Sequence, residues 1–157
     1  MISLRKLTIE DATYFMELNN KPDILKWMRS DNEYHKEDFH AVLACDWITW
    51  YVIYSNEKTY KNTRRWINFK VGLFTTYIVD KKVYLGIIID DRYRRKGYAR
   101  DTFKHYLTAT DEINVDTYLS CFDNQPALNM YKELGYSEIG EEKIRGRRHI
   151  HMERKAR

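Results

Sequence analysis

The run Ile87-Ile88-Ile89-Asp90-Asp91-Arg92-Tyr93-Arg94-Arg95-Lys96-Gly97-Tyr98-Ala99 constrains this chain more than any other segment. Its isoleucines read as the end of a strand apolar on both faces, and therefore central in a sheet. The basic stretch reads as a turn. Tyr98 onward reads as a helix to about Ala109, with Ala99, Phe103, Tyr106 and Leu107 on one stripe. A helix opening near Tyr98 leaves its first amides without intrahelical partners, and its dipole favours an anion at that end. Gly97 permits a tight turn and the approach of a ligand with no Cβ in the way. Ala99 keeps the first helical turn thin, and Arg94, Arg95 and Lys96 add positive charge. The segment is suited to holding a pyrophosphate. It is not a Walker loop, because no Ser or Thr follows a Lys at the required spacing.

A second segment lies some thirty residues on. In Asp123-Asn124-Gln125-Pro126-Ala127-Leu128-Asn129-Met130-Tyr131-Lys132-Glu133-Leu134-Gly135, positions 124, 127 and 131 fall three and four apart, the spacing of one helix face. Asn124 offers an amide, Ala127 leaves room, and Tyr131 places a phenol one turn further. A core stripe accounts for Leu128 and Leu134 but not for a polar Asn on the Tyr face. Pro126 fits the first helical turn and Gly135 its C-terminal stop.

The remaining pattern is β-α-α-(α)-β-β-β-α-β-α-β-β. A strand over 2–7 is followed by a Thr8-to-Asp11 capping box and a helix near 9–19. Pro22 breaks the chain before a short helix ending near Trp27, and 33–45 is a third helical candidate. Strands are expected over 47–54, 67–79, 83–89, 115–122, 136–143 and 147–154, with 55–65 a loop or hairpin tip. The order predicts an α+β fold on a mixed sheet.

Composition narrows the class. The 157 residues suit one domain, 1–157, with 43% hydrophobic and 32% charged residues, ordinary for a globular protein. A net charge of +4 is short of what a nucleic-acid binder carries, so nucleic acid is not an expected partner. No apolar run is long enough to span a bilayer, and the first residues lack the apolar core of a signal peptide, so no membrane partner is expected and the chain is placed in the cytoplasm. Cys45 and Cys121 have no zinc-ligand spacing and read as reduced, mostly buried thiols. His149 and His151 share one face of a tail strand, but the sequence offers no evident third ligand. No metal is expected, and solvent-exposed strand histidines are the favoured reading. Most of Trp27, Trp47, Trp50 and Trp66 are expected in the core, and the tail 145–157 reads as a solvated edge strand.

Taken together, Ile87-x-Ile89, Arg94-x-x-Gly97-x-Ala99 and Asn124-x-x-Ala127-x-x-x-Tyr131-x-x-x-Gly135-Tyr136 resemble the GNAT superfamily of acyl-CoA-dependent N-acyltransferases. The matching core covers roughly residues 70–140. The segment Asn19 to Trp27 resembles the acceptor side of the branch with ribosomal-protein N-terminal and amino-sugar acetyltransferases. The resemblance implies a mostly antiparallel twisted sheet flanked by helices, with a V-shaped split between the strands at about 83–89 and 115–121. Acetyl-CoA, the cosubstrate, would lie in the split. Its pantetheine would pair with the backbone of Ile87, Ile88 and Ile89, and an N–H of Ile88 or Ile89 would polarise the thioester. Its pyrophosphate would meet Arg94, Arg95, Lys96, Gly97, Tyr98 and Ala99, and its arm Asn124 and Ala127. Tyr131 would protonate the leaving thiolate.

Trp27 would touch the acceptor, a small-molecule or peptide amine such as a protein N-terminus or amino sugar, in a monomer or homodimer. Some family members place a Glu on the strand before the turn, where this chain has Ile87-Ile88-Ile89. Asp90, Asp80, Glu33, His149 and a water relay are the alternatives for a base. The missing carboxylate also keeps open a non-catalytic module of this fold that holds a CoA compound or a macromolecular partner.

Overall fold

The computed structural model describes residues 1–30, 32–58 and 66–157, with backbone alone at 57–58 and 66–67. Among the described residues seven strands form one sheet: β1 (Ile2–Lys6), β2 (Ile48–Lys58), β3 (Trp66–Val79), β4 (Lys82–Ile89), β5 (Thr117–Phe122), β6 (Ser137–Ile144) and β7 (Arg147–Arg154). The helices are α1 (Ala12–Asn19), α2 (Pro22–Leu25), α3 (Phe39–Ala44), α4 (Tyr98–Glu112) and α5 (Leu128–Glu133). The spatial order is β1-β2-β3-β4-β5-β7-β6. All neighbours are antiparallel except β4 and β5. The expected α+β class, the mostly antiparallel sheet and the flanking helices are what the structure has.

Period-2 alternation along the strands sends two sets of apolar residues to two faces. Phe74, Leu85, Leu119, Cys121, Ile150 and Met152 form one core with Phe103 and Leu107 of α4 and Tyr131 of α5. Val52, Leu73 and Ile88 form the other with Phe15 and Leu18 of α1, Ile24 of α2 and Phe39 of α3. Phe15 sits at the centre of an aromatic cluster, with ring centroids 5.0 Å from Tyr34, 5.4 Å from Phe39 and 5.0 Å from Trp50.

Several boundaries move for local physical reasons. The segment 9–19 opens as a 3-10 turn before α1, with the Thr8 N–H donating to Asp11 Oδ2 at 2.9 Å. The third helix contracts to a 3-10 turn and α3, because only Phe39 of that segment is buried enough to anchor it. β2 runs on to Lys58 through residues expected to be loop, paired to β3 beyond a bulge between Ile53 and Tyr54; residues 59–65 lie outside the described residues. The edge strand of the tail is β6, and β7 lies inside between β5 and β6. Trp47 is exposed, not core, while Trp50 is half-buried on Phe15; the side chain of Trp66 lies outside the described residues.

One polar lock ties both helices of the first core to the sheet. Arg154 of β7, 5% exposed, donates to both carboxylate oxygens of Asp111 near the end of α4, each at 2.8 Å. Its Nε donates to the Leu134 carbonyl at the end of α5, at 3.0 Å. The Arg154 guanidinium holds the Asp111 carboxyl at about 2, against an ordinary 3.8. The stabilisation is therefore present above pH 4 and lost as pH falls towards 2. Asp111→Ala, which leaves Arg154 buried without its carboxylate, is expected to cost about 3–5 kcal/mol. Asp111→Asn should flatten the fall of the melting temperature between pH 4 and 2; thermal melts across that range check both.

Candidate active site

The site begins where the sheet stops being continuous. β4 and β5 pair at two positions, Val83 with Thr117 and Tyr84 with Tyr118. Beyond these, among the described residues, Leu85–Ile89 and Leu119–Phe122 keep their partners on β3 and β7 and do not pair with each other. The result is the V-shaped split, with the two strands as its walls.

Peptide direction decides which groups face it. The Asp90 N–H bonds the Val71 carbonyl of β3 at 2.9 Å. Because N–H and C=O of alternate residues point to the same side of a strand, the peptide groups of Ile88 also face β3. Those of Ile87 and Ile89 face the split. Ile88 accordingly cannot offer its backbone to a ligand there, and its side chain is buried in the α1–α3 core. The Ile89 carbonyl already accepts from Arg94 Nε at 3.0 Å.

At the open end of the split the chain makes a 3-10 turn, Asp91–Tyr93, and then enters α4. Gly97 caps the helix at φ 85°, a left-handed conformation that favours glycine, and a Cβ built on it would meet nothing within 4 Å. The first intrahelical bond runs from the Asp101 N–H to the Gly97 carbonyl, 3.0 Å. The amides of Tyr98, Ala99 and Arg100 precede it and have no intrahelical acceptor. Arg95 (φ 63°) and Lys96 are exposed beside them. Arg94 is turned away from this corner, its Nη2 2.6 Å from Asp23 Oδ2 of α2.

Asp90 is buried at the same corner. It accepts from the Arg92 backbone and guanidinium and lies 3.4 Å from Lys21 Nζ. The Arg92 guanidinium holds its carboxyl far below the ordinary carboxylate range, so Asp90 is a cap and ion-pair anchor and a poor base. Asp80 sits in the turn at the opposite end of β4, and Glu33 is exposed in a loop.

The second sequence segment is partly rearranged. α5 begins at Leu128, so Asn124 lies in a turn before the helix and does not share its face. The Asn124 Oδ1 accepts from Arg147 Nη2 at 3.3 Å. Ala127 is the N-cap and is half-buried against the α4–α5 core. Gly135, at φ 100°, closes the helix: its N–H bonds the Lys132 carbonyl and the Tyr136 N–H the Tyr131 carbonyl, both at 3.1 Å. Tyr131 is 5% exposed and packs edge-on to Phe103 at 5.4 Å, in one cluster with Cys121 of the β5 wall. Burial raises its phenol pKa well above the ordinary value, so the group carries its proton at neutral pH.

The opposite face of β5 holds residues that the sequence did not join. Ser120 and Phe122 face His151 and His149 of β7. Ser120 Oγ and His151 Nδ1 lie 2.9 Å apart. Glu142 of β6 pairs with His149, and its Oε1 is 3.2 Å from His151 Nε2 and 3.7 Å from His149 Nδ1. His149 is buried, contrary to the expectation of exposure, with its ring 4.9 Å from Phe122. No hydrogen bond among the described residues reaches its Nδ1. Burial pushes its imidazole down to about 4, so it is neutral at pH 7 and an ineffective base there.

Glu142 also supplies the third donor the sequence lacked, since ligand atoms of Glu142, His149 and His151 lie within 4.8 Å of one another. Arg29 Nη1, however, sits 2.7 Å from the same Oε1, which works against a dication at that spot. On this face Trp27 is half-buried, with Lys26 Nζ and Arg147 Cζ each 5.2 Å from its ring centroid. Arg147 also stacks on Phe122 at 3.9 Å.

A family model described as the acetyltransferase (GNAT) domain matches residues 61–156. The chain belongs to the GNAT family. It is an acyl-CoA-dependent N-acetyltransferase. No curated protein sequence matches it. Among solved structures, spermidine N-acetyltransferase from Vibrio cholerae, crystallised with CoA and spermine, is similar at TM-score 0.79 and 20% identity, over 99% of this chain and 95% of that one. A domain from Methanocaldococcus jannaschii is similar at TM-score 0.79 and 17% identity, over 98% of each chain. The ribosomal-protein-S18-alanine N-acetyltransferase of Escherichia coli gives 0.69 at 15% identity, over 99% and 94%. No helix of the described residues is long and apolar enough to cross a membrane.

The buried, neutral His149 carries a pH signature. Its folded pKa of about 4 lies below the ordinary 6.5, so unfolding takes up a proton between those values. Stability from this residue is intact above pH 6.5 and declines as pH falls towards 4. In His149→Leu the dependence of melting temperature on pH over that window should be shallower than in the wild type, and a scan by differential calorimetry measures it.

Proposed function

We propose that the enzyme moves an acetyl group from acetyl-CoA to a primary amine by direct attack in a ternary complex. The observation that carries this reading is the parting of β4 and β5 after Tyr84 and Tyr118, with the Gly97 turn at its open end. A pantetheine arm in the split would pair with the peptide groups of Ile87, leaving the Ile89 N–H for the thioester, since the Ile89 carbonyl is held by Arg94. Its diphosphate would meet the amides from Arg95 to Ala99, where Gly97 removes the Cβ and the helix dipole favours negative charge. Ala127 leaves room beside the arm. Arg94 and Asn124 act at one remove, through Asp23 and Arg147.

The Ile89 N–H is the donor placed to polarise the thioester carbonyl. Tyr131, protonated and buried beneath the β5 wall, is the acid for the departing thiolate. The amine enters from the other face, past Trp27. Lys26 and Arg147 flank that ring, which suits an amine carrying a carboxylate or phosphate better than a polycation.

Titration calorimetry with acetyl-CoA tests the donor site, and Gly97→Val should weaken binding at least tenfold by forcing a β-branched residue to φ 85°. Tyr131→Phe should lower kcat by about 10²-fold while the acetyl-CoA Kd stays within twofold; an unchanged kcat removes Tyr131 from the chemistry. In thiol release with an amine panel, an acidic peptide with a free N-terminus should outrun spermidine.

A further inference from the structure

An amine at neutral pH arrives as an ammonium ion and must lose a proton before its lone pair is available. β4 offers no carboxylate in the split, and Asp90 is consumed by Arg92 and Lys21. The opposite face of β5 supplies what β4 lacks. Ser120 lies two residues past Tyr118, the last β5 residue that pairs with β4, where the split begins to widen. Its side chain alternates with Leu119 and Cys121, which face Tyr131. Ser120 and Tyr131 therefore stand on opposite sides of the sheet at the same wall.

From Ser120 the contacts run outward in series: Oγ to His151 Nδ1 at 2.9 Å, then His151 Nε2 to Glu142 Oε1 at 3.2 Å. Arg29 Nη1 donates to the same Oε1 at 2.7 Å and so fixes the carboxylate. His151 is a cross-strand partner of Ser120, so the register of β5 and β7 sets the first contact. The His151 side chain is 30% exposed, which gives a proton it collects a way out to water.

We propose that Ser120, His151 and Glu142 are the proton relay for the acceptor amine, with His151 as the base. The inference rests on the acetyl-transfer reading above and adds the residues that accept the proton. The ammonium gives a proton to Ser120 Oγ as the hydroxyl passes its own to His151 Nδ1, and the Glu142 carboxylate, 3.2 Å from Nε2, positions the ring and favours its charged form. The freed lone pair forms the N–C bond at the thioester carbonyl, and the C–S bond breaks as the thiolate takes a proton from Tyr131. The nitrogen's surplus proton restores Tyr131, and the proton on His151 leaves to solvent. One proton is released per amide and thiol formed.

The charged and titratable groups around His151 are Glu142 on β6, His149 on its own strand, Arg29 from the segment after α2, and Tyr118 and Glu153 one pair along. His149 stays neutral and packs at 5.7 Å from His151, so it adds no competing charge.

Two measurements on the full chain decide the matter. The first is ring ¹⁵N NMR of the histidines. The relay requires neutral His151 to carry its proton on Nε2, leaving Nδ1 to accept from Ser120, and Glu142→Gln to perturb that ring. A proton on Nδ1 in the neutral form overturns the proposal even if no amine is turned over. The second is thiol release from acetyl-CoA with spermidine, glucosamine and an acidic peptide with a free N-terminus. His151→Gln should lower kcat/KM about 10²-fold or more and abolish its fall towards acid pH, with acetyl-CoA Kd and melting temperature nearly unchanged. Ser120→Ala should show a smaller loss of the same kind. A His151→Gln enzyme within threefold of wild type with the acid limb intact overturns the relay alone, whereas wild-type protein that neither binds nor turns over acetyl-CoA overturns the underlying reading.

Discussion

Everything in this molecule's active region follows from two parallel strands that hydrogen-bond briefly and then separate. A strand exposes a row of amides and carbonyls that must find partners. β4 satisfies one edge on β3 and β5 satisfies one edge on β7, which leaves two facing edges across a widening gap. α4 and α5 close one side of that gap through the Phe103–Tyr131–Cys121 cluster. The polar Ser120–His151–Glu142 set lies on the other. The gap is thus an apolar-floored slot with a helix N-terminus at its mouth, and among the described residues the two facing edges have no strand between them.

The two halves of the site are joined by charge. Lys21, at the start of α2, reaches Asp91 at 2.8 Å as well as Asp90, and Arg94 of the Gly97 turn reaches Asp23 of α2. These contacts pin the segment before Trp27 to the corner where the diphosphate is proposed to rest. The same logic recurs at the far end of α4, where Arg154 gathers Asp111 and Leu134. Long-range register does the rest, because each strand face carries its residues to one side of the sheet as a block.

Legibility in the sequence tracked the range of the interaction. The isoleucine strand, the left-handed Gly97 and the α4 stripe are local features, written in periodicity and in one residue type, and they stand where the sequence placed them. The Asn124-Ala127-Tyr131 spacing is that of one helix face, but a turn ahead of Leu128 shifts Asn124 off it, since helix starts depend on where the first buried anchor falls. His149 and His151 were visible as a period-2 pair. What hid their partners was strand order: β7 inserts between β5 and β6, and only that arrangement brings Ser120, at a separation of 31 residues, and Glu142 to the imidazoles. The direction of the Ile88 peptide was equally illegible, because it depends on which edge of β4 is bound to β3.

The Lys21, Asp91, Asp23 and Arg94 contacts are all partly open to water, with side-chain exposures between 33% and 56%. Pairs of that kind weaken as dissolved ions crowd around them. Concentrated electrolyte would therefore slacken the seam between the short α2 turn and the Gly97 corner, while the dry interiors beneath both faces hold their shape.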